Sequence, residues 1–237
     1  MSKPFKFKQF TVKQDRCAMK IGTDGVLLGA WTSLKNNPFS VLDIGAGTGI
    51  LSLMMAQRSY AEQIEAIEID DDAYEQCAEN FENSPWNDRL FCYHASLLEF
   101  VEEVEDAFDL IICNPPFYSE DYKTENKSRD LARFNDAMPF KHIIYAVAHL
   151  LVEDGIFSII IPKKEESDFI ELASAVGLHP QRILHVKGNP DADVKRSLIE
   201  LSYMENEVEI SELIIETDRH NYTEDYINLT KDFYLKM

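Results

Sequence analysis

The 237-residue sequence predicts an α/β fold built on a doubly wound parallel sheet. Three observations predict it. From Ser40 onward short apolar runs alternate with stretches of helical periodicity, and that alternation implies parallel strands joined by right-handed crossovers. A glycine-rich turn, Asp43-Ile44-Gly45-Ala46-Gly47-Thr48-Gly49, stands between a strand and a helix. A later strand runs straight into Asn114-Pro115-Pro116-Phe117, and the ends of parallel strands are where this architecture builds its sites.

The elements follow in order. Residues 40–44 read as a buried strand, and 50–58 as a helix with Leu51, Met54 and Met55 on one side. Residues 64–69 form the next strand, after which Asp71 or Asp72 caps a helix reaching Phe81. Further strands are expected at 90–93, 108–113 and 156–161. A helix over 140–151 stops before the turn Glu153-Asp154-Gly155, and one over 167–175 is stopped by Gly177. Strands at 182–186 and 197–204 and a closing helix at 223–234 complete the set. Tail aromatics Tyr222, Tyr226, Phe233 and Tyr234 recur near helical spacing and are expected in the core. With no linker or repeat visible, residues 1–237 read as one domain with an N-terminal extension over 1–39.

Composition narrows the function. At 45% hydrophobic and 27% charged residues the chain has an ordinary globular balance, which excludes a disordered scaffold. No apolar run approaches the roughly 18–20 residues of a membrane span, and no secretory leader is legible. Cys17, Cys77, Cys92 and Cys113 contain no Cys-x-x-Cys pair, and the six histidines have no ligand spacing, so no metal is expected. The thiols read as reduced, in a cytoplasmic protein. A net charge of −19 is not the overall signature of a nucleic-acid binder. Positive charge is nonetheless local. Lys3, Lys6, Lys8, Lys13, Arg16 and Lys20 stand against Asp15 alone, and Lys123, Lys127, Arg129, Arg133 and Lys141 form a second cluster. Acidic residues dominate 99–109 and 205–216. This asymmetry points to one face for a polyanion.

Two motifs carry chemistry. In the first, Gly45, Gly47 and Gly49 allow a tight turn and let a ligand lie against bare backbone. A dinucleotide loop prefers G-x-G-x-x-G with pyrophosphate at the helix N-terminus. Here the spacing is G-x-G-x-G, and Asp43 would repel a pyrophosphate. It suits instead the cationic amino-acid end of S-adenosylmethionine. Glu68, about twenty residues past the glycines, is placed to accept hydrogen bonds from both ribose hydroxyls. Ser96 stands where many such enzymes carry an Asp facing the adenine amine, so backbone groups of Ala95 and Ser96 are the expected adenine readers.

In the second motif the Asn114 side-chain oxygen and the Pro115 carbonyl can accept the two N–H groups of an exocyclic amine. That draws the nitrogen lone pair out of ring conjugation. Pro115 and Pro116 hold these acceptors rigidly, and Phe117 offers a face on which a base stacks. Asn114 thus borders both the donor and the acceptor.

Together these motifs resemble class I S-adenosylmethionine-dependent amino-methyltransferases. More narrowly, the chain resembles the bacterial tRNA1(Val) (adenine(37)-N(6))-methyltransferase family. The likeness extends through residues 5–10, Asp15-Arg16-Cys17-Ala18-Met19-Lys20, residues 22–31, Ser84-Pro85-Trp86, Asn221-Tyr222-Thr223-Glu224 and Phe233-Tyr234-Leu235. It implies a Rossmann-like seven-stranded sheet with an antiparallel last strand, and a tRNA substrate methylated on adenine N(6). It also implies Lys20 and Asp24 near the methionine end of the cofactor. Arg129 and Arg133, with Lys6, Lys8 and Lys13, are the expected RNA contacts. Phe117 replaces the Tyr of many relatives. Glutamine methylation in release factors and amino-methylation of ribosomal RNA use the same Asn-Pro-Pro-aromatic loop and are the alternatives. A nucleotide-binding module without catalysis would have no need of that loop.

Overall fold

Buried β-branched runs place four parallel strands at the centre of the molecule, in a computed structural model that describes residues 3–116 and 138–237. The strands are β3 (Ser40–Ile44), β4 (Gln63–Glu68), β6 (Phe108–Cys113) and β7 (Leu151–Pro162), joined at one edge by β5 (Leu90–His94). On the other side lie β8 (His179–Lys187), β9 (Arg196–Ser202) and β10 (Glu209–Ile214). The order is β10-β8-β9-β7-β6-β3-β4-β5. Only β9 runs against its neighbours in this sheet. The chain winds outward from β3 to β5, then crosses back to β6. A switch point therefore opens between β3 and β6, beyond their carboxyl ends, where a ligand crevice forms.

This corrects the expected strand count. Seven strands match the anticipated sheet, and β9 is the antiparallel seventh. β10 is an eighth, parallel to β8. It escapes notice in the acidic stretch 205–216 because residues 209–212 are all exposed, Ile210 among them, and burial begins only at Leu213. Two-stranded ribbons, β1 (Phe5–Lys6) with β2 (Thr11–Val12) and β11 (Glu216–Asp218) with β12 (Asn221–Tyr222), were likewise not expected.

Helices cover both faces, as a sheet buried on both sides requires. One layer holds α1 (Thr23–Trp31), α2 (Ile50–Arg58) and α3 (Asp71–Glu82), and the other α4 (Leu97–Glu103), α5 (Phe140–Leu150) and α6 (Glu166–Ser174). The closing helix, α7 (Glu224–Thr230), is shorter than the periodicity implied. Tyr226 and Phe233 are in the core as expected, whereas Tyr222 is 40% exposed. The helix at 23–31 escaped the sequence because residues 25–31 are all buried and show no polar stripe. α4 is announced by a capping box that was overlooked, Ser96 with Glu99. The turn signal at 153–155 is an irregularity inside β7. Phe108 pairs with Leu151 but Leu110 pairs with Ile156, so residues 152–155 bow out of register. In α3, Asp70 is the cap, its Oδ1 accepting from the Ala73 amide at 2.9 Å.

The segment before β3 is knitted into the first layer. Phe7, Phe10, Val12, Val26, Leu27, Leu28 and Trp31 all join its core. Among the described residues no helix is long and apolar enough to cross a membrane.

Candidate active site

Strand register brings three residues to one place. Cys113 pairs with Ile44, and Ile44 with Ile67. Asn114, Gly45 and Glu68 are therefore each the first residue beyond a single continuous rung. With neighbouring strands ~4.8 Å apart, the two motifs and the acidic strand end emerge side by side at the switch point.

The glycine loop turns sharply there. Gly45 and Ala46 both donate to the Ile67 carbonyl at 3.0 Å, and Gly49 donates to the Ala46 carbonyl at 2.8 Å. The three glycines have φ of +73°, +54° and +75°, a region costly for residues with a Cβ. Their surroundings differ. A Cβ on Gly49 would lie 2.5 Å from the Phe81 ring and 2.8 Å from Cys77 Sγ, so Gly49 serves packing against α3. A Cβ on Gly47 would meet nothing within 4 Å, which leaves open space over the loop for a ligand.

Asp43 is fully buried beneath this loop. Its Oδ2 accepts from the Ser52 amide at 3.1 Å and the Ser52 hydroxyl at 2.7 Å, so a strand residue caps α2 across the turn. Its Oδ1 has no partner among the described residues. Burial pushes the carboxyl up to about 7, opposed by the Ser52 bonds. Glu68 is held by backbone: Oε2 accepts from the Gly47 amide at 2.7 Å, and Oε1 from Ile69 and Asp70 at 2.8 and 3.0 Å. Oε1 thus accepts two amides, while Oε2 keeps one acceptor site. At the third strand end the amides expected to read adenine have internal partners. Ala95 donates to the Glu68 carbonyl at 3.1 Å, and Ser96 to Glu99 Oε2 at 3.1 Å. Ser96 is a helix cap whose hydroxyl accepts from the Glu99 amide.

Asn114 is half-buried, Pro115 buried and Pro116 half-buried. Above Asn114 lies the first turn of α1, where a Cβ built on Gly25 would stand 3.6 Å from Asn114 Nδ2 and 3.5 Å from Ile50. Phe117, Arg129 and Arg133 fall outside the described residues.

Residues 24–179 match the family model of the methyltransferase small domain. A tRNA1(Val) (adenine(37)-N6)-methyltransferase of Flavobacterium johnsoniae is 63% identical over 98% of this chain and all of its own length. One from Bacteroides fragilis is 42% identical over the whole of both chains, and one from Pseudoalteromonas translucida 43% identical over 98% and 99%. The chain belongs to the tRNA1(Val) (adenine(37)-N6)-methyltransferase family. Solved structures support its fold. A predicted O-methyltransferase from Agrobacterium tumefaciens has a TM-score of 0.69 at 20% identity, covering 89% of this chain and 96% of its own. P. horikoshii TYW2, solved in complex with MeSAdo, has a TM-score of 0.57 at 16% identity, covering 84% and 69%.

Three features fit the methyl donor of such a family. They are the unpartnered buried oxygen of Asp43, the open space above Gly47, and the anchored carboxylate of Glu68.

Other expected residues of this family member are placed differently. Asp24 directs its Oδ2 to Arg196 Nε at 2.8 Å, and Lys20 is exposed. In the N-terminal block Lys3, Lys6 and Lys20 stand at the surface with no ion pair among the described residues, while Lys8 donates to the Lys231 and Met237 carbonyls. Lys13 pairs with Glu79, and Arg16 with Glu75 and Glu79. The basic segment is thus partly a structural clamp. Arg196 and Ser52 were missed by the sequence, since neither sits in a motif and each matters only through tertiary contact; Gly25 belongs to the 22–31 block that carries the resemblance.

Proposed function

We propose that this chain transfers the methyl group of S-adenosylmethionine to the N(6) amine of an adenine in tRNA, adenine 37 of tRNA1(Val). The observation carrying this is the identity of 57–63% over essentially the whole chain with three relatives of that name. The Asn-Pro-Pro strand end beside a glycine loop supplies compatible chemistry. When bound, S-adenosylmethionine offers a methyl group made electrophilic by its sulfonium.

The side chains do the rest. Glu68 accepts from a ribose hydroxyl through its remaining Oε2 site, with a carboxylate already oriented by three amides. Asp43 directs its free oxygen toward the cationic amino-acid end. The Asn114 side-chain oxygen and the Pro115 carbonyl accept the two N–H groups of the adenine amine. This localises the nitrogen lone pair and favours a tetrahedral nitrogen. Proton loss follows methylation, when the nitrogen has become acidic, so no strong base is required. Phe117, which completes the Asn-Pro-Pro-Phe motif, is the residue type on which an adenine ring stacks, a contact worth ~1–3 kcal/mol.

Incubation with methyl-labelled donor and separate tRNA, ribosomal RNA and release-factor pools tests the reading. The expected result is N(6)-methyladenosine in digested tRNA1(Val) alone. Label appearing in glutamine, or only in ribosomal RNA, would replace it with one of the alternatives.

The ion pairs refine the RNA footprint. Lys6→Ala should reduce the slope of log affinity for tRNA against log salt by about one contact. Lys13→Ala should reduce it clearly less, because Glu79 already sits against that ammonium. Filter binding across salt concentrations checks this, and equal reductions would mean that Lys13 leaves Glu79 for phosphate.

A further inference from the structure

We infer that Arg196 is a positioning residue for methyl transfer, holding the first turn of α1 over Asn114 through its ion pair with Asp24. The inference rests on Asn114 being the catalytic acceptor, and it concerns a residue outside the matched methyltransferase domain.

The two ends of α1 are held differently. At its carboxyl end the Ser33 amide donates to Glu200 Oε1 at 2.5 Å, and the Thr32 hydroxyl meets Ser158 at 2.8 Å. Arg58 donates to the Gly29 and Thr32 carbonyls at 2.7 and 2.8 Å. Arg182 binds Glu200 at 2.9 Å and lies 4.5 Å from the Trp31 ring centroid. This end is locked to the sheet.

The amino end, which touches the site, has no side-chain cap of its own. Its side-chain link to the sheet is Asp24 to Arg196, at 2.8 Å, with each side chain about a third exposed. Arg196 begins β9, directly opposite Pro162 at the carboxyl end of β7. It therefore reaches the first turn from the same edge that carries the site. One residue along from Asp24, Gly25 packs over Asn114 and Ile50. A shift of this turn moves the surface against which the Asn114 amide rests. Displacements of about 1 Å in a reacting constellation cost up to ~10²-fold.

The geometry also reassigns Asp24. Its carboxylate acts through Arg196 on the helix, rather than on the donor as the resemblance implies.

A double-mutant cycle separates these roles. Single-turnover rates on tRNA are measured for Asp24→Asn, Arg196→Met and the double variant, with Arg196→Lys as the conservative control. Positioning predicts losses of ~10–100-fold in each single variant, no further loss in the double, and partial recovery with lysine. Direct donor contact by Asp24 predicts instead a loss confined to the Asp24 variants and additive effects, and overturns the inference.

Amide hydrogen exchange supplies a readout independent of substrate. Residues 26–27 should exchange ~10-fold faster in Arg196→Met, while residues 30–32 stay protected. Unchanged exchange in that first turn also overturns it. Absence of transfer by the unaltered protein would refute the proposed function, and the exchange measurement would still decide the role of Arg196.

Discussion

Asn114→Ala is expected to bind S-adenosylmethionine within a few-fold of the unaltered protein and to lose ~10²–10³ in single-turnover methylation. That is the scale for removing one preorganised group aimed at developing charge. The reasoning is geometric. Asn114 is the first residue past Cys113, so its backbone is fixed by the rung shared with Ile44, and Pro115 and Pro116 restrict the chain that follows. Removing its side chain leaves the Asp43–Gly49 turn and Glu68 untouched. Donor binding and rate should therefore separate, which is how loss of an interaction made in the transition state is recognised. Asn114→Asp adds a contrast. It retains acceptors but adds a negative charge to a strand-end site that already holds Asp43 and Glu68, so donor binding itself should change. An Asn114→Ala protein with near-normal turnover would remove this strand end from the chemistry.

What was legible in the sequence was what is local. The glycine turn needs only its own φ angles, and an Asn-Pro-Pro run after an apolar strand needs only its neighbours, so both motifs could be read by themselves. Their adjacency was not readable, because it depends on Cys113, Ile44 and Ile67 sharing a rung set by pairing between segments far apart in the chain. Charge was misleading for the same reason. Lys8, Lys13 and Arg16 look like a basic arm in the sequence, yet their partners lie 59 to 229 residues away, on α3 and the closing tail. Ser96 was compared with an adenine-facing Asp, while its local pattern with Glu99 already spelled a helix cap. β10 was obscured because its first four residues are exposed and Glu-rich, so no buried face announces the strand in the sequence. Asp43 was singled out in the sequence for its charge beside the glycines, but its bond to Ser52 follows from α2 folding back beneath the loop.

That bond gives Asp43 a second measurable consequence. The carboxyl is raised from 3.8 to about 7 by complete burial, with Oδ1 unpartnered. The folded protein therefore binds this proton more tightly than the unfolded chain. Its stabilising contribution is fullest below pH ~3.8 and is lost as pH rises through about 7. Measured against Asp43→Asn, which does not titrate, the unaltered protein should lose about 3 kcal/mol of unfolding free energy between pH 5 and pH 8. Urea titrations of both proteins at the two pH values check this, and a constant difference would refute it. Ligand binding should show the opposite preference. A cationic ligand beside the free oxygen favours the carboxylate, so donor binding near pH 6 must expel close to one proton and strengthen toward pH 8. Calorimetry in two buffers of different ionisation enthalpy counts that proton. In Asp43→Asn the release should vanish, and affinity should fall most at high pH, where the native carboxylate is already charged. The buried acid is least favourable to the fold in the same pH range where it is most useful to the ligand.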